Sequence, residues 1–416
     1  MVFSRALLAL ILGQVFLHAC MTGVRVAAPL LMLRQGQPEW AVGLLLGLFA
    51  AAPVATALRS GRMADRHGYH RPMRLAIALA VAGALLAAVA VWLTPSAPNA
   101  GWPALDGLRF APREASFAML AVAAMLCGVG ANMGLITIQR SAGRLASGGT
   151  EVTRVFSWLG LAPAVSNMIG PVVAGAVIDA AGFGSAFLVL AALPLVSLAW
   201  MRQVPVDVPA ARAADAPATS AWTLLRLPGL RRLLLVNWLL SSSWDLHAFL
   251  VPVLGHERGL SASAIGLILG TFAAAVASVR LVIPWIAHHL REAQVLTGAM
   301  LTTAAVFAIY PFAQSALAMA VCGASLGMAL GCVQPMIMTA LHRLTPQPRH
   351  GEALALRSMT INGASTLMPL FFGVVGSALG AAPLFWLMGA AMATGSLAAW
   401  QVGRRSDDAH LAAIRT

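Results

Sequence analysis

Two opposite charges stand inside long apolar runs of the sequence, where they could do chemistry within a membrane. Arg25 lies in the run at 6–33 and Asp245 in the run at 232–254. A charge at the centre of a bilayer costs about 2.5–3.5 kcal/mol on insertion scales, so each needs a partner or a ligand. A guanidinium can bind a carboxylate group, and an Asp side chain can take up and release a proton. The two residues could anchor a substrate, transfer a proton, do both, or form a purely structural ion pair.

Polar residues recur at helical spacing around both charges. The two predicted polar stripes are His18, Thr22 and Arg25 in the first run, and Asn237, Ser241 and Asp245 in the seventh. Residues three or four positions apart share one face of a helix, so each stripe should face a common cavity. His247 lies about 200° around the helix from Asp245, and we expect it to be a packed, hydrogen-bonded histidine.

Three further polar residues interrupt other apolar runs. They are Asn132 in the fourth run, Arg280 in the eighth and Gln334 in the tenth. Each could line the same cavity. Asn132 and Gln334 could equally make an interhelical hydrogen bond, and Arg280 could extend its charge to the membrane surface.

The composition identifies the elements that must position these residues. The 416 residues are 59% hydrophobic and only 10% charged, whereas soluble domains carry roughly 25% charge. The chain is therefore predicted to be an all-α membrane protein with the lipid bilayer as its surroundings. Twelve apolar windows of spanning length are predicted, at 6–33, 39–59, 73–94, 115–138, 155–180, 185–202, 232–254, 262–286, 294–312, 316–341, 357–378 and 384–402.

The basic residues indicate the orientation of these helices. The formal net charge is +13, and all 27 basic residues are Arg. If both termini are cytoplasmic, 21 Arg fall on the cytoplasmic side and four, Arg34, Arg109, Arg113 and Arg258, on the other. This asymmetry follows the positive-inside rule and predicts an even number of spans. It favours a multi-pass protein of a bacterial-type inner membrane and argues against a nucleic-acid partner.

The sequence contains an internal repeat. A shift of 223 residues sets 36–52 against 259–275 with ten of 17 positions identical, and a weaker echo relates 170–187 to 368–385. The shift places Asp245 opposite Thr22, one helical turn from Arg25. We therefore predict two pseudo-symmetric six-helix bundles, 1–203 and 231–416, joined by a flexible cytoplasmic linker at 204–230. Duplicated halves of this kind are typical of secondary transporters with a substrate site between them.

The segment between the second and third runs reads Gly61-Arg62-Met63-Ala64-Asp65-Arg66-His67-Gly68-Tyr69-His70-Arg71. It resembles the signature G-x-x-x-D-R-x-G-R-R of the major facilitator superfamily, and the resemblance extends over the whole chain. The positions that match are Gly61, Asp65, Arg66, Gly68 and Arg71, while Tyr69 replaces a basic residue. The resemblance implies a twelve-helix fold in which Asp65 helps to latch the two halves in an outward-open state. The alternative is a basic loop that only fixes topology.

The fifth run carries Gly170, Pro171 and Gly175, similar to the Gly-Pro-x-x-Gly-Gly motif of the family's drug antiporters, with Ser166 and Ala174 replacing two glycines. A plain helix-packing kink is the alternative. The fourth run lacks the Arg that those antiporters place there, which puts proton coupling through that residue in doubt.

Other kinds of site are disfavoured. Gly323-Ala324-Ser325-Leu326-Gly327 spells a hydrolase nucleophile motif but lies within an apolar run, where its spacing suits helix packing. His288 and His289 lack a third ligand in suitable spacing, and a chain without Lys has no phosphate-binding loop of the usual type. We expect no metal, no cofactor and no enzyme activity.

These observations predict a monomeric secondary transporter that moves a small organic molecule between its halves, with protons as the coupling ion. Export is favoured by the motif in the fifth run. An importer of an organic anion is the alternative, because Arg25 is a natural carboxylate partner. A receptor or scaffold without transport is a second alternative.

Overall fold

The computed structural model describes residues 5–93, 113–145, 159–205, 221–286, 291–345 and 350–414. Helices make up almost all of this part of the chain, and the residues described include no strand. The twelve predicted spans correspond to twelve helices, α1 to α12. In order they are α1 Arg5–Arg34, α2 Glu39–His67, α3 His70–Leu93, α4 Arg113–Leu145, α5 162–181, α6 183–201, α7 Pro228–Glu257, α8 Ala262–Ile286, α9 Glu292–Ile309, α10 Ala316–Gly331 continued by Val333–Leu344, α11 His350–Leu379 and α12 Ala381–Ile414.

Ten helical stretches of the described chain are long and apolar enough to cross a membrane. One of them, Ala162–Met201, contains both α5 and α6, because the backbone turns at Gly182 without leaving the helical hydrogen-bond pattern. Helix α7 is absent from the ten; it carries two adjacent Arg residues, several polar residues and Asp245, which lower its hydropathy. The twelve predicted spans therefore agree with the helices in number and closely in position.

Four glycines with positive φ form the turns on one side of the molecule. Gly36 follows α1, Gly182 separates α5 from α6, Gly259 follows α7, and Gly380 separates α11 from α12. Their φ angles of 73°, 81°, 67° and 82° are costly for a residue with a Cβ atom. We call this side the four-glycine face. The opposite side, where α2 turns into α3 at Gly68, is called the Gly68 face.

The two halves meet mainly through two pairs of helices, α2 with α11 and α5 with α8, and α1 of the first half also contacts α7 of the second. Within the first half, α1 packs against α5 and α6, and α3 packs against α4; within the second, α9 packs against α12 and α8 against α10. Small residues allow these close approaches: Gly83 in α3 contacts the backbone of α4, and Gly327 in α10 contacts that of α8. Large exposed hydrophobic side chains such as Leu317 and Leu397 cover the outside, as expected of a surface against lipid.

The end of the predicted linker is structured. Residues 206–220 lie outside the described part of the chain, but Ala221–Arg226 forms a short 3-10 helix with Leu224 fully buried, and α7 begins at Pro228. The predicted linker thus ends in a short helical segment with a buried apolar side chain, and its bounds and flexibility stay a prediction.

Candidate functional site

The two intramembrane charges form an ion pair between the halves. Nη2 of Arg25 in α1 lies 3.2 Å from Oδ1 of Asp245 in α7. The Asp245 side chain is 4% exposed and that of Arg25 is 24% exposed. The predicted proximity of the two residues is thus observed, and each charge offsets the cost of burying the other.

A third residue, which the sequence did not single out, completes the carboxylate's hydrogen bonds. The hydroxyl of Ser365 in α11 donates to Oδ2 of Asp245 at 2.9 Å. Asp245 therefore has one oxygen bonded to α1 in the other half and one bonded to α11 in its own half. The weak echo could have drawn attention to Ser365, because a shift of 198 residues sets it against Asn167 in α5.

A cavity of about 50 Å³ opens beside the pair. Its polar lining comes from Thr22, Arg25 and Asn167, and its apolar wall includes Trp244 and Phe272. The rings of Trp244 and Phe272 pack edge to face with centroids 4.6 Å apart. The site therefore sets a cation and an amide opposite an aromatic wall, an arrangement suited to a ligand with one polar end and one flat apolar end.

Arg25 keeps hydrogen-bond capacity for a ligand. Its Nε is buried and has no partner among the described residues, while Nη2 is held by Asp245. A guanidinium carries five N–H donors in a planar fork. The guanidinium therefore has N–H donors to offer a carboxylate or another anion in the cavity once Asp245 no longer holds it.

The remaining members of the stripe in α1 are held in different ways. The hydroxyl of Thr22 donates to the carbonyls of Ser166 at 3.0 Å and Ala19 at 3.2 Å, so it ties α1 to α5 as well as lining the cavity. Nδ1 of His18 is buried without a partner among the described residues. Thr22 and His18 thus have different surroundings, and the predicted polar stripe stays a prediction.

The other predicted polar residues are spread over the bundle. Asn237 is buried, and its Nδ2 has no partner within the described chain. Ser241 and Asn132 are half-buried, and Gln334 is exposed just beyond the break in α10 at Cys332. None of these four residues lines the cavity beside the ion pair.

His247 is buried and hydrogen-bonded, as predicted. Its Nε2 lies 3.3 Å from the Tyr310 hydroxyl, and its ring packs on Phe272 with centroids 4.6 Å apart. His247 also lines the cavity. Arg280 is half-buried, and its Nε has no partner among the described residues.

The loop between α2 and α3 has the turn that its glycines predict. Gly68 ends α2 with φ 68°, and its N–H bonds to the carbonyl of Ala64. Tyr69, which replaces a basic residue of the signature, is buried with its hydroxyl close to Gly13 in α1. The side chain of Asp65 lies outside the described residues, so its predicted contact stays a prediction.

The motif in α5 packs helices closely on two sides. A Cβ atom at Gly170 would collide with the backbone of α1, and one at Gly175 would collide with the carbonyl of Ala262 in α8. The carbonyl of Pro171 contacts Gly266, also in α8. These contacts agree with the helix-packing interpretation, and the predicted link to antiport stays a prediction.

The described residues bring no three His, Cys, Asp or Glu side chains together in a way that could hold a metal ion. The four cysteines are unpaired. The polar groups that line the cavity are suited to hydrogen bonding and to binding an anion.

Comparisons with known proteins agree with this architecture. The sequence profile of the Major Facilitator Superfamily matches residues 10–292 and 233–415. No curated protein sequence matches the chain.

Among solved structures, the chain is similar to a POT family transporter in complex with 5-aminolevulinic acid, with 13% identity, 97% of each chain covered and a TM-score of 0.72. It is also similar to the nucleoside transporter NupG, with 14% identity, 95% of this chain and 99% of that chain covered, and a TM-score of 0.73. A bacterial homolog of the human lysosomal transporter Spinster, in an inward-facing and occupied conformation, has 13% identity, coverages of 99% and 97%, and a TM-score of 0.69. At these identities the likeness establishes a common fold.

Proposed function

Because the chain belongs to the major facilitator superfamily, we propose that it is a secondary transporter that carries a small organic molecule across a bacterial-type inner membrane by alternating access. Both termini and the Gly68 face are then cytoplasmic, in accord with the distribution of Arg. The protein acts as a monomer, and its two halves rock about the Arg25–Asp245 pair.

The ion pair is the observation that carries the proposal. It joins α1 of the first half to α7 of the second, and Ser365 of α11 donates a further hydrogen bond to it. Two unpaired charges would cost together about 5–7 kcal/mol on insertion scales. A scaffold or receptor has no need of such charges, whereas a transporter can use them to bind and release an ion and a substrate.

The pair also offers a coupling mechanism with protons as the driving ion. When Asp245 is ionised, it holds Arg25 and keeps the cation from a substrate. When Asp245 takes up a proton, the attraction ends and Arg25 is free to bind an anionic group. Proton binding and substrate binding are then linked through one contact. Because the proton promotes binding of the anion, this form of the coupling suits movement of both in the same direction, as import of an organic anion requires.

Export is the favoured direction, because the sequence of α5 is similar to that of the family's drug antiporters. The lack of an Arg inside α4, where Asn132 and Gln139 are the polar residues, means that the coupling charge must come from elsewhere. The Arg25–Asp245 pair is the candidate. Import of an organic anion is the second possibility, supported by the Nε of Arg25, which has no partner in the described part of the chain, and by the Trp244 and Phe272 wall of the same cavity.

The proposal is tested in two steps with purified protein. A thermal-shift screen against organic anions, drugs and metabolites finds ligands, because a molecule that binds only the native state raises its apparent stability. Ligands that raise the melting temperature are then tested for transport in sealed vesicles that contain the protein. Ligands that bind wild type and Arg25→Ala equally well would place the substrate site elsewhere, and binding without any transport would favour a receptor.

A further inference from the structure

An acidic side chain at the end of α5 caps a helix of the opposite half. The carboxylate of Asp179 accepts hydrogen bonds from the backbone N–H groups of Ala262 at 3.0 Å and Ser263 at 2.7 Å. These two residues begin α8. The first N–H groups of a helix have no partner within it, and an anion there is also favoured by the helix dipole. One half of the molecule thus supplies a cap that the other half needs.

A serine forms the corresponding contact between α11 and α2. The Ser377 hydroxyl accepts a hydrogen bond from the backbone N–H of Trp40 at 3.0 Å and donates to the carbonyl of Gly373 at 2.8 Å. Helix α2 has Pro38 at its N-cap position, without any side-chain cap of its own. Here the second half supplies the cap that the first half needs.

The two caps are related by the internal repeat. The shift of 198 residues that relates α5 to α11 places Asp179 on Ser377, and the shift of 223 that relates α2 to α8 places Trp40 on Ser263. The surrounding contacts repeat as well. Gly175 approaches the carbonyl of Ala262 as Gly373 approaches that of Glu39. Two shifts found in the sequence thus relate two contacts found in the structure.

The difference between Asp and Ser at these related positions has an electrostatic reason. The Glu39 carboxylate lies in the first turn of α2, next to Gly376. An Asp at position 377 would meet this like charge. The position related to Glu39 in α8 is Ala262, which carries no charge to repel Asp179. The neutral acceptor Ser377 therefore suits the cap of α2, and the charged acceptor Asp179 suits the cap of α8.

We propose that Asp179 and Ser377 are gating residues, whose reciprocal caps hold the two halves together on the four-glycine face. A cavity of about 520 Å³, lined by Asp179 together with the turns at Gly182 and Gly259, opens beside the Asp179 cap. When the halves separate on this face, both caps break and water must replace them. The caps therefore stabilise the state that is closed on the four-glycine face. They also couple the opening of the α2–α11 contact to the opening of the α5–α8 contact.

Amide hydrogen exchange of the purified, substrate-free protein tests this proposal. Two segments report the caps: 36–44, which contains the Trp40 amide, and 258–266, which contains the Ala262 and Ser263 amides. We expect Asp179→Ala to accelerate exchange in both segments by roughly tenfold. Ser377→Ala should also accelerate both, by a smaller factor, because it removes a single neutral hydrogen bond.

Ser261→Ala is the matched control. The Ser261 hydroxyl accepts a hydrogen bond from the Ala264 N–H at 3.1 Å, so it caps α8 from within its own half. This variant should accelerate exchange in 258–266 alone. If Asp179→Ala also affects 258–266 alone, Asp179 is a local cap and the proposal is wrong. Asp179→Asn, which keeps one acceptor oxygen, should show the two-segment pattern more weakly and serves if the Ala variant does not fold. The assay uses no substrate, so its result does not depend on the transport activity proposed above.

Discussion

Arg25 and Asp245 share their hydrogen bonds unequally. Asp245 uses both oxygens, one for Arg25 and one for Ser365, whereas Arg25 leaves Nε without a partner among the described residues. Arg25 also lines the cavity, whereas Asp245 does not. The two members of the pair are therefore expected to differ in their roles, Arg25 binding the substrate and Asp245 the proton.

Variants of the pair should separate these roles. Arg25→Ala should weaken substrate binding by at least about 30-fold, since removing one member of a buried charge pair costs about 2–5 kcal/mol. Asp245→Asn should keep substrate binding but abolish transport driven by a pH gradient, because an amide takes up no proton at physiological pH. Arg25→Lys should restore little, since an ammonium lacks the planar fork. Calorimetric binding and vesicle transport are the measurements.

The double variant Arg25→Ala with Asp245→Ala is the informative control. It removes both charges together and leaves neither without a partner, so the protein should fold. Transport at the wild-type rate by this variant would show that the pair is neither the site nor the coupling device.

Ser365→Ala should destabilise the protein, because it leaves Oδ2 of a buried carboxylate without its donor. We expect a loss of about 1–3 kcal/mol in the free energy of unfolding, measured by thermal denaturation in detergent. Ser325→Ala is the control, because the half-buried Ser325 donates its hydroxyl to the carbonyl of Val321 in its own helix. Equal effects of the two substitutions would mean that the bond to Asp245 contributes nothing.

The sequence identified charged site residues more readily than neutral ones. A charge in an apolar run stands out, and Arg25 and Asp245 were found on this ground alone. A serine does not stand out, because its hydroxyl can bond to the carbonyl four residues earlier, as that of Ser325 does. Ser365 instead bonds across helices, and only the tertiary arrangement distinguishes the two cases.

At the scale of helices, glycines determine how closely the halves can approach. Gly43 in α2 faces the carbonyl of Pro369 in α11, and Gly266 in α8 faces that of Pro171 in α5. At both positions a single added methyl group would collide with backbone of the other half, which cannot move aside as a side chain can. These contacts lie one to two turns along the helices from the caps of α2 and α8.

Gly43→Ala should therefore open the four-glycine face. Exchange of the amides in 36–44 and 258–266 should accelerate by roughly tenfold, although a Gly to Ala change within a helix by itself stabilises it by about 1 kcal/mol. Gly298→Ala in α9 is the control, because its added Cβ atom would have no neighbour within 4 Å. The same acceleration in both variants would exclude the contact with Pro369 as the cause.

Helix positions were largely predictable, but the contacts between helices were not. Apolar runs and Arg clusters located the spans, and α8 begins and ends at its predicted residues, 262 and 286. Asp179 stands at the end of a predicted run, where polar residues are ordinary, and nothing local to it indicates a partner 83 positions away. Its role emerges only when both repeat shifts are applied together.

At the scale of the whole molecule, the proposed exporter should exchange substrate against protons. In sealed vesicles an imposed pH gradient should drive substrate accumulation opposite to the flow of protons, with protein reconstituted at known orientation. Accumulation in the same direction as protons would instead identify a symporter and favour the importer of an organic anion. A protonophore, which collapses the gradient, should abolish either result.

The loop between α2 and α3 should influence the balance between the two open states. Asp65→Asn is expected to leave the protein folded and to impair transport, because it loosens a contact that favours the state open on the four-glycine face. Distances measured by spin labels across that face should shift toward the closed state. Normal transport together with unchanged distances would mean that the loop only fixes topology.

The reciprocal caps also have a consequence for how the protein is made. Translation produces α2 long before α11, so the start of α2 has no cap until Ser377 is synthesised. Asp179, by contrast, is synthesised before α8. The first half is therefore synthesised with the start of α2 uncapped, whereas the second half packs against an α5 that already carries its capping carboxylate. Two fragments expressed separately, divided within 206–220, should each supply what the other lacks and associate in the membrane. Chains truncated before α11 would lack Ser377 and leave the first N–H groups of α2 uncapped, and we expect proteases to degrade them faster than the full chain.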